Sequence, residues 1–374
     1  MRIGILTLPL NINYGGILQA YALQTVLERM GHEVWLINKI PYKKNVSWYK
    51  LIVRIFQKYI LGRKDIHIFF ERDFNKYNSP QSEMRVNTNR FIDEHIKIVS
   101  IYDINEIKPE CYDAIVVGSD QIWRPKYLIE PFNDDVTPAF LSFATSWSIN
   151  RVAYAASFGT DVWEYSDEET CKIKNLAKKF QAISVREDSG VRLCKENLGV
   201  EATHVLDPTM LLDEDDYNRI AQNGKTPNGD LMCYILDKSS YKNDVIAKVA
   251  KAKGLVPFNT NASDVIEVQP PVEDWLQGLK HAKMVITDSF HACVFSIIYH
   301  KPFIAISNDI RGNARLTSLL TMFGLEDRLI EEGKELNSKL INSPIDYVKV
   351  DKLLDEWRKK SSAFLKDNIK STQR

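Results

Sequence analysis

Short apolar segments alternate with helical segments along the chain, and this alternation constrains the fold more than any other feature. Such alternation is typical of mostly parallel sheets with helices on both faces. Asp207-Pro208-Thr209 interrupts the series, and a second alternating series then begins. The predicted strands are 2–7, 33–38, 114–117, 151–155, 182–185, 203–206, 231–236, 256–258, 283–286 and 303–306. The predicted helices are 17–30, 167–180, 189–198, 241–253, 275–282, 292–300, 315–323 and 350–367.

The interruption at Asp207 predicts a division into two domains. A chain of 374 residues is long for one hydrophobic core and suits two. We expect a Rossmann-like domain over 1–207 with a helical insertion at about 42–95, and a second Rossmann-like domain over 208–348. The two doubly wound domains then face a cleft, and a C-terminal helix within 349–374 packs back on the first domain.

The composition describes a soluble globular protein and excludes several function classes. Hydrophobic residues make up 44% and charged residues 26%, and the formal net charge is zero, which argues against nucleic acid as a partner. The five cysteines are scattered and form no CxxC pair, so we expect neither a disulfide framework nor a metal site. The chain starts on a predicted strand without a signal core and has no apolar run of 18 residues, which favours the cytoplasm.

The segment Thr287-Asp288-Ser289-Phe290-His291 joins a predicted strand to a predicted helix. Asp288 or Ser289 is then the helix cap, and His291 falls in the first turn. Strand ends that lead into helices are where open α/β sheets bind ligands, and free backbone N–H groups there favour anions. His291 can therefore perform acid–base chemistry beside a phosphate or carboxylate. The alternative is that Asp288 only caps the helix and His291 only bonds a loop carbonyl.

The segment Asn13-Tyr14-Gly15-Gly16 follows the first predicted strand. Its two glycines would let the backbone approach a ligand closely, and the next helix presents its N-terminus. The spacing is not GxGxxG, so no dinucleotide fingerprint is present. The segment is either a ligand contact or only a tight turn between strand and helix.

The segment Gly118-Ser119-Asp120-Gln121-Ile122-Trp123 follows another apolar strand. Asp120 can accept hydrogen bonds from sugar hydroxyls, Gln121 adds a polar group, and Trp123 can stack on a sugar face. The alternative is an Asp-capped turn with a tryptophan that only packs.

Arginines follow two other predicted strands. Arg186 is suited to a carboxylate or phosphate, although it could instead pair with Glu187 or Asp188. Arg311 and Arg315 lie in a glycine-containing loop that enters a helix, which is either an anion site or a solvated basic turn.

Residues 42–72 hold eight Lys or Arg against two acidic residues, with aromatic and aliphatic residues between them. This basic amphipathic pattern is typical of helices that lie on an anionic membrane surface. The alternative, which we favour from the sequence, is a helical insertion with its apolar face in the core.

These segments together resemble the polysaccharide pyruvyl transferase family, and the resemblance covers most of the chain. The resemblance implies a fold similar to two-domain, GT-B-like glycosyltransferases. It also implies transfer of pyruvate from phosphoenolpyruvate onto two hydroxyls of a hexose as a cyclic ketal. The acceptors of the family are usually sugars of surface polysaccharides such as capsule or exopolysaccharide, often while attached to a polyprenyl lipid.

The resemblance also assigns roles to residues. A basic residue of the family corresponds to Arg186, and the histidine that contacts the donor corresponds to His291. Several members carry arginine two positions before that histidine, where this chain has Ser289, so a donor contact is either missing or supplied by another arginine such as Arg311 or Arg315. We expect Arg186 and Arg315 to bind the two anionic groups of the donor. His291 and Asp120 would move protons or orient a hydroxyl, and the chemistry requires no metal or further cofactor.

Two other functions remain open at this point. The twin-domain layout would also suit a glycosyltransferase that uses a nucleotide sugar. Ser289 in place of arginine would suit a binding protein whose catalytic site has decayed.

Overall fold

The structure is a computed structural model that describes residues 1–79, 82–261 and 267–370. Within these ranges the first sheet is parallel throughout, with the strand order β3-β2-β1-β4-β5-β6-β7. Its inner strands are rich in Ile, Val and Ala and are buried on both faces, as expected of parallel strands covered by helices. The strands are β1 (Arg2–Leu6), β2 (Glu33–Lys39), β3 (Ile98–Ile101), β4 (Ala114–Gly118), β5 (Asn150–Ala156), β6 (Ala182–Val185) and β7 (Thr203–His204).

Helices cover this first sheet on both faces. Residues 48–95 contribute three helices between β2 and β3, which corresponds to the predicted insertion. The helices are α1 (Tyr14–Arg29), α2 (Trp48–Tyr59), α3 (Phe70–Asn78), α4 (Val86–His95), α5 (Pro125–Phe132), α6 (Asp167–Ala177) and α7 (Asp188–Leu193).

The second sheet is also parallel and has the order β12-β11-β10-β8-β9 within the described residues. Its strands are β8 (Leu231–Tyr234), β9 (Pro257–Phe258), β10 (Met284–Thr287), β11 (Phe303–Ile306) and β12 (Leu329–Ile330). Its helices are α8 (Glu214–Ala221), α9 (Ser240–Lys253), α10 (Val272–His281), α11 (Phe290–Ile298), α12 (Ala314–Phe323), α13 (Ser338–Asn342) and α14 (Tyr347–Asn368). Two parallel α/β domains are therefore present, as the alternation predicts.

Each sheet has one place where the direction of winding reverses. In the first sheet it lies between β1 and β4, and in the second between β8 and β10. Open α/β sheets bind ligands at the carboxyl ends of the strands beside such a switch point. The segments that contain Gly15, Asp120 and His291 all begin at these strand ends.

The last helix, α14, returns to the first domain, which confirms the expected packing, because Asn150 of β5 donates to the Asn368 carbonyl oxygen at 2.7 Å. Arg358 donates through Nε to the carbonyl oxygen of Met210 at 2.7 Å and through Nη2 to that of Leu212 at 2.5 Å. The Ser361 hydroxyl accepts from the backbone N–H of Leu206 at 3.0 Å. Helix α14 therefore bonds to the chain segment that links the two domains, residues 206–212.

Helix α2 contradicts the interpretation that its apolar face lies in the core. None of its residues is buried, and Trp48 is 73% and Tyr59 71% exposed. Its more enclosed side consists of Leu51, Arg54, Gln57 and Lys58. The helical period was predicted correctly, but the polar side faces the protein. No helix in the described part of the chain is long and apolar enough to cross a membrane.

Candidate active site

Asp207 lies at the centre of a buried polar cluster between the domains. Its Oδ2 accepts from Arg186 Nη1 at 2.7 Å and from Ser119 Oγ at 3.1 Å. Its Oδ1 accepts from the N–H and the hydroxyl of Thr209, at 3.0 and 2.6 Å. Burial alone would raise the pKa of the Asp207 carboxyl, but His291 and Arg186 outweigh it and hold that pKa well below its usual range. Asp207 is therefore a buried anion that orients the groups around it.

His291 reaches the same carboxylate from the second domain. Its Nε2 lies 3.6 Å from Asp207 Oδ2, and the side chain is almost fully buried. Ser289 begins α11, because its Oγ accepts from the Ala292 N–H at 3.4 Å. The imidazole therefore lies in the first helical turn, as predicted, and Ser289 rather than Asp288 is the cap.

Asp288 stabilises the loop around His291 instead of capping α11. It accepts from the backbone N–H groups of Leu236 and Asp237 at 2.7 and 3.1 Å, and from Lys242 Nζ at 2.9 Å. These bonds join the ends of β8 and β10, and they hold the turn that carries His291.

Arg186 and Arg315 lie on the ring of Phe290. Their guanidinium carbons are 4.4 and 5.8 Å from its centroid, and both residues are more than nine-tenths buried. Burial, together with the charge of Arg186, lowers the pKa of Arg315 to about 10, so the group stays protonated at neutral pH. Asp207 and Asp120 compensate Arg186, whereas Arg315 has no ion pair in the described ranges. The alternative, an ion pair of Arg186 with Glu187 or Asp188, is not formed within the described residues, because the guanidinium points to Asp207 and Asp120.

Three buried nitrogens of this cluster have no hydrogen-bond partner among the residues that the structure describes. They are Nε of Arg186, Nε of Arg315 and Nε2 of His291. Leaving a buried donor unpaired costs about 1–3 kcal/mol, more for a charged group. The two guanidinium groups are therefore suited to an anionic ligand, whereas His291 Nε2 faces the carboxylate of Asp207 at 3.6 Å.

Asp120 lies in a turn with an unusual backbone. Ser119 and Asp120 have φ angles of 27° and 54°, a left-handed conformation that costs energy for residues other than glycine. The turn directs Asp120 Oδ1 to within 3.4 Å of Arg186 Nη2. Asp120 therefore belongs to the cluster geometrically, and its proton-transfer role stays a prediction.

Trp123 does not face the cleft, so the expectation that it stacks on a sugar is wrong. Its side chain is fully buried, donates from Nε1 to the Ala139 carbonyl oxygen at 3.1 Å and stacks on Phe140 at 4.9 Å. Gln121 is also buried, and its Oε1 accepts from Arg124 Nη1 at 3.1 Å. The turn therefore packs its aromatic residue inward and contributes Ser119 and Asp120 to the cluster.

The segment from Asn13 to Gly16 packs against the second domain. A Cβ atom at Gly15 would lie 2.0 Å from His291 Nδ1, so only glycine permits this approach. Tyr14 is fully buried and donates to the Pro270 carbonyl oxygen at 2.7 Å, so it contacts the other domain rather than an acceptor. The atoms nearest to a Cβ at Gly16 would belong to the side chain of Asn13, which is exposed. Gly15 therefore permits the close approach of the two domains at the imidazole.

Arg311 is already paired. Its Nε lies 2.6 Å from Asp237 Oδ2, and its carbonyl oxygen accepts from Arg124 Nη1 and Arg315 Nη2, both at 3.0 Å. Of the two arginines of this loop, Arg315 is the one that lies beside Arg186.

A cleft of about 810 Å³ adjoins this loop and is lined by both domains. Its lining residues are Arg124, Thr160, Asp161, Glu164, Asp188, Ser189, Arg192, Asp309, Gly312, Asn313, Ala314 and Thr317. Within the described ranges no group of three or more His, Cys, Asp or Glu residues is placed to hold a metal ion.

Sequence reasoning missed the role of Asp207 and the contribution of Ser119. The signal for Asp207 was its place at the end of a predicted strand, the same kind of position that identified Arg186 and His291. Asp207-Pro208-Thr209 indicated only an interruption of the pattern. The sequence at one strand end does not show which side chains from other strand ends it will contact.

Comparison with known proteins identifies the family and the fold. The family model described as polysaccharide pyruvyl transferase matches residues 13–310, most of the chain. Arabidopsis thaliana UGT89C1 complexed with UDP-L-rhamnose is 9% identical, with 97% of each chain covered and a TM-score of 0.50. The UDP-GlcNAc 2-epimerase from Neisseria meningitidis bound to UDP-GlcNAc is 10% identical, with 98% of this chain and 99% of that chain covered and a TM-score of 0.43. The first of these shows a GT-B-like fold and no more. No curated protein matches the chain.

Proposed function

We propose, since this chain belongs to the polysaccharide pyruvyl transferase family, that it transfers pyruvate from phosphoenolpyruvate to a hexose. The product would be a cyclic ketal that bridges two hydroxyls of a sugar in surface polysaccharide biosynthesis. The acceptor would be a hexose that is free or attached to a polyprenyl lipid. Phosphoenolpyruvate would be a co-substrate, and the proposal includes no further cofactor.

The observation that carries this proposal is the pair of buried guanidinium groups of Arg186 and Arg315, whose Nε atoms have no hydrogen-bond partner within the described ranges. Phosphoenolpyruvate has one carboxylate and one phosphate, and two guanidinium groups on one aromatic ring match two anions. The N-terminus of α11 adds backbone N–H groups, which favour a phosphate.

The proposed reaction requires two proton transfers and the neutralisation of two anions. A proton is added to the methylene carbon of phosphoenolpyruvate, and the adjacent carbon becomes electrophilic. One sugar hydroxyl attacks that carbon, the bond to the phosphate oxygen breaks, and the second hydroxyl closes the ring. The two sugar hydroxyls lose one proton each. One of these protons balances the hydrogen added to form the methyl group, and the other balances the proton on the released phosphate.

We assign these tasks to named residues. His291 would transfer a proton at the reacting centre, and Asp120 would orient an acceptor hydroxyl or carry the second proton. Arg186 and Arg315 would bind the carboxylate and the phosphate. Asp207 would act as a positioning residue, because it contacts both Arg186 and His291.

Arg315 would also compensate for the arginine that the family resemblance predicts at Ser289. Ser289 caps α11 and supplies no charge, whereas Arg315 supplies a buried positive charge beside the same Phe290 ring. The nearby Arg311 is less suited, because Asp237 already pairs with it.

The test is incubation with phosphoenolpyruvate and a panel of hexosides, with phosphate release and ketal formation followed by NMR. We expect acceptor-dependent phosphate release, and we expect His291→Gln to lower kcat roughly 10²–10⁴-fold because a proton carrier is lost. The control His281→Gln changes an exposed histidine at the end of α10 and should leave turnover unchanged.

Two results would contradict the proposal. One is the absence of phosphate release across the panel, together with thermal stabilisation by nucleoside diphosphates but not by phosphoenolpyruvate; this would favour a nucleotide-sugar glycosyltransferase. The other is full activity of His291→Gln, which would remove His291 from the mechanism.

A further inference from the structure

Helix α2 exposes an apolar face that nothing else in the described protein covers. This outward face consists of Trp48, Tyr49, Ile52, Val53, Ile55, Phe56, Tyr59 and Ile60, each between 43% and 73% exposed. These positions recur at the spacing of one side of a helix. An exposed apolar patch that is continuous over a whole helix marks an interaction site rather than ordinary surface.

The orientation of α2 is held by polar contacts on its opposite side. Arg54 donates to both carboxylate oxygens of Glu71, at 2.7 and 2.8 Å, and to the Ile68 carbonyl oxygen at 3.2 Å. The loop before the helix is held in the same way, because Lys43 and Asn75 exchange two hydrogen bonds of 2.9 and 2.8 Å. The apolar face is therefore directed outward by specific bonds.

The charge around this face is strongly positive. Residues 42–72 carry an excess of six positive charges, although the whole chain is neutral. Lys44, Lys50, Lys58 and Lys64 make no ion pair within the described residues. A partner with negative charge around an apolar interior would complement both properties.

We propose that the outward face of α2 docks on the surface of an anionic lipid bilayer. The aromatic residues with a polar group lie at the two ends of the helix, Trp48 and Tyr49 at the start and Tyr59 at the end. Such residues favour the headgroup level, while Ile52, Ile55 and Phe56 would enter the acyl boundary. Unpaired lysines beside the face would contact the lipid headgroups.

A second copy of the chain fits this face less well. A two-fold contact would bring the same segment, with its six excess positive charges, against itself.

The insertion that contains α2 leaves the first sheet after β2, at the same edge of the sheet as the loop that follows β1. A membrane docked on α2 would therefore lie on the side of the first domain that carries the candidate site.

Flotation with vesicles tests the proposal and needs no enzymatic turnover, so its outcome is independent of the proposed function. We expect the protein to float with phosphatidylglycerol-containing vesicles at low salt and to bind phosphatidylcholine vesicles much less. Binding should fall at about 1 M salt, where charges are screened within about 3 Å.

Two pairs of variants separate the apolar and the electrostatic contributions. Ile52→Asp with Phe56→Asp should abolish flotation. Lys50→Glu with Lys58→Glu should weaken it roughly 25-fold or more, since each basic residue near such a surface contributes about fivefold. The matched controls change exposed residues elsewhere, Val348→Asp and the pair Lys251→Glu with Lys253→Glu, and should float like the wild type.

A second readout does not depend on these variants. Brominated lipid should quench the fluorescence of the wild type and quench Trp48→Phe less, because Trp48 lies in the docked face. The proposal is overturned if the wild type stays with the unbound fraction, or if both vesicle types bind equally. It is also overturned if the wild type is a dimer without lipid and Phe56→Asp makes it monomeric.

Discussion

At the residue scale, the site contains two buried arginines, and only one of them, Arg186, forms ion pairs within the described ranges. Asp207 and Asp120 form ion pairs with Arg186, whereas Arg315 forms none within the described ranges and is compensated only at longer range by Asp120 and Glu187. A buried charge that is only partly compensated destabilises a folded protein, and a ligand of opposite charge reduces this cost. The protein therefore maintains a positive charge that an anionic ligand would relieve.

Arg315→Met tests this explanation. We expect the free energy of unfolding without ligand to rise by roughly 1 kcal/mol, because a buried unpaired charge is replaced by an apolar side chain of similar length. Stabilisation by phosphoenolpyruvate, measured as a shift in Tm, should disappear. The control Arg72→Met removes an exposed arginine and should change neither quantity. Ligand stabilisation that survives in Arg315→Met would contradict the assignment.

At the element scale, the site forms where the first turns of two helices meet. Helix α1 presents Gly15 and helix α11 presents His291, and each follows a strand beside a switch point. Such a contact allows the backbone of one domain to define the position of the imidazole of the other.

Gly15→Ala should displace that imidazole. The added Cβ would lie 2.0 Å from His291 Nδ1, so the ring or the helix must move. A displacement of about 1 Å can lower turnover on the order of 100-fold, so we expect a loss of kcat of at least this size. In the control Gly16→Ala the nearest atom lies at 3.3 Å on the Asn13 side chain, which can adjust. Equal activities of the two variants would show that the contact does not position His291.

At the scale of the whole molecule, the two domains share one hydrophobic cluster. It includes Tyr14 of the first domain and Trp275 and Phe295 of the second, with the rings of Tyr14 and Trp275 5.6 Å apart. The return of α14 adds a second connection, because Ser361 accepts from Leu206 and Asn150 of the first domain donates to the Asn368 carbonyl oxygen. Next to these contacts, Arg358 bonds the carbonyl groups of the fully buried Met210 and Leu212. An apolar interface of this kind restrains relative domain motion.

Arg358→Ala measures the contribution of α14 to this arrangement. The change leaves two buried carbonyl groups without their charged donor, so we expect the free energy of unfolding to fall by roughly 2 kcal/mol in urea denaturation. Lys359→Ala, at the exposed neighbouring position, should stay within about 0.5 kcal/mol of the wild type. An unchanged value for Arg358→Ala would mean that the helix is held by its apolar contacts alone.

The sequence by itself determined the two sheets, the order of most elements and the strand ends at which Arg186, Asp120 and His291 lie. This was possible because apolar periodicity and helix caps are local, and because parallel strands bring their carboxyl ends to one edge. The edge strand β3, Ile98–Ile101, was missed because two of its four residues are exposed and Ser100 interrupts its apolar residues.

Only the tertiary structure decided which side chains meet. It made Asp207 the shared partner of Arg186 and His291, and it buried Trp123, which the sequence suggested as a sugar platform. It also turned the apolar face of α2 away from the core. A periodic pattern shows that a helix has two unlike sides, but contacts between segments distant in sequence determine which side faces the protein.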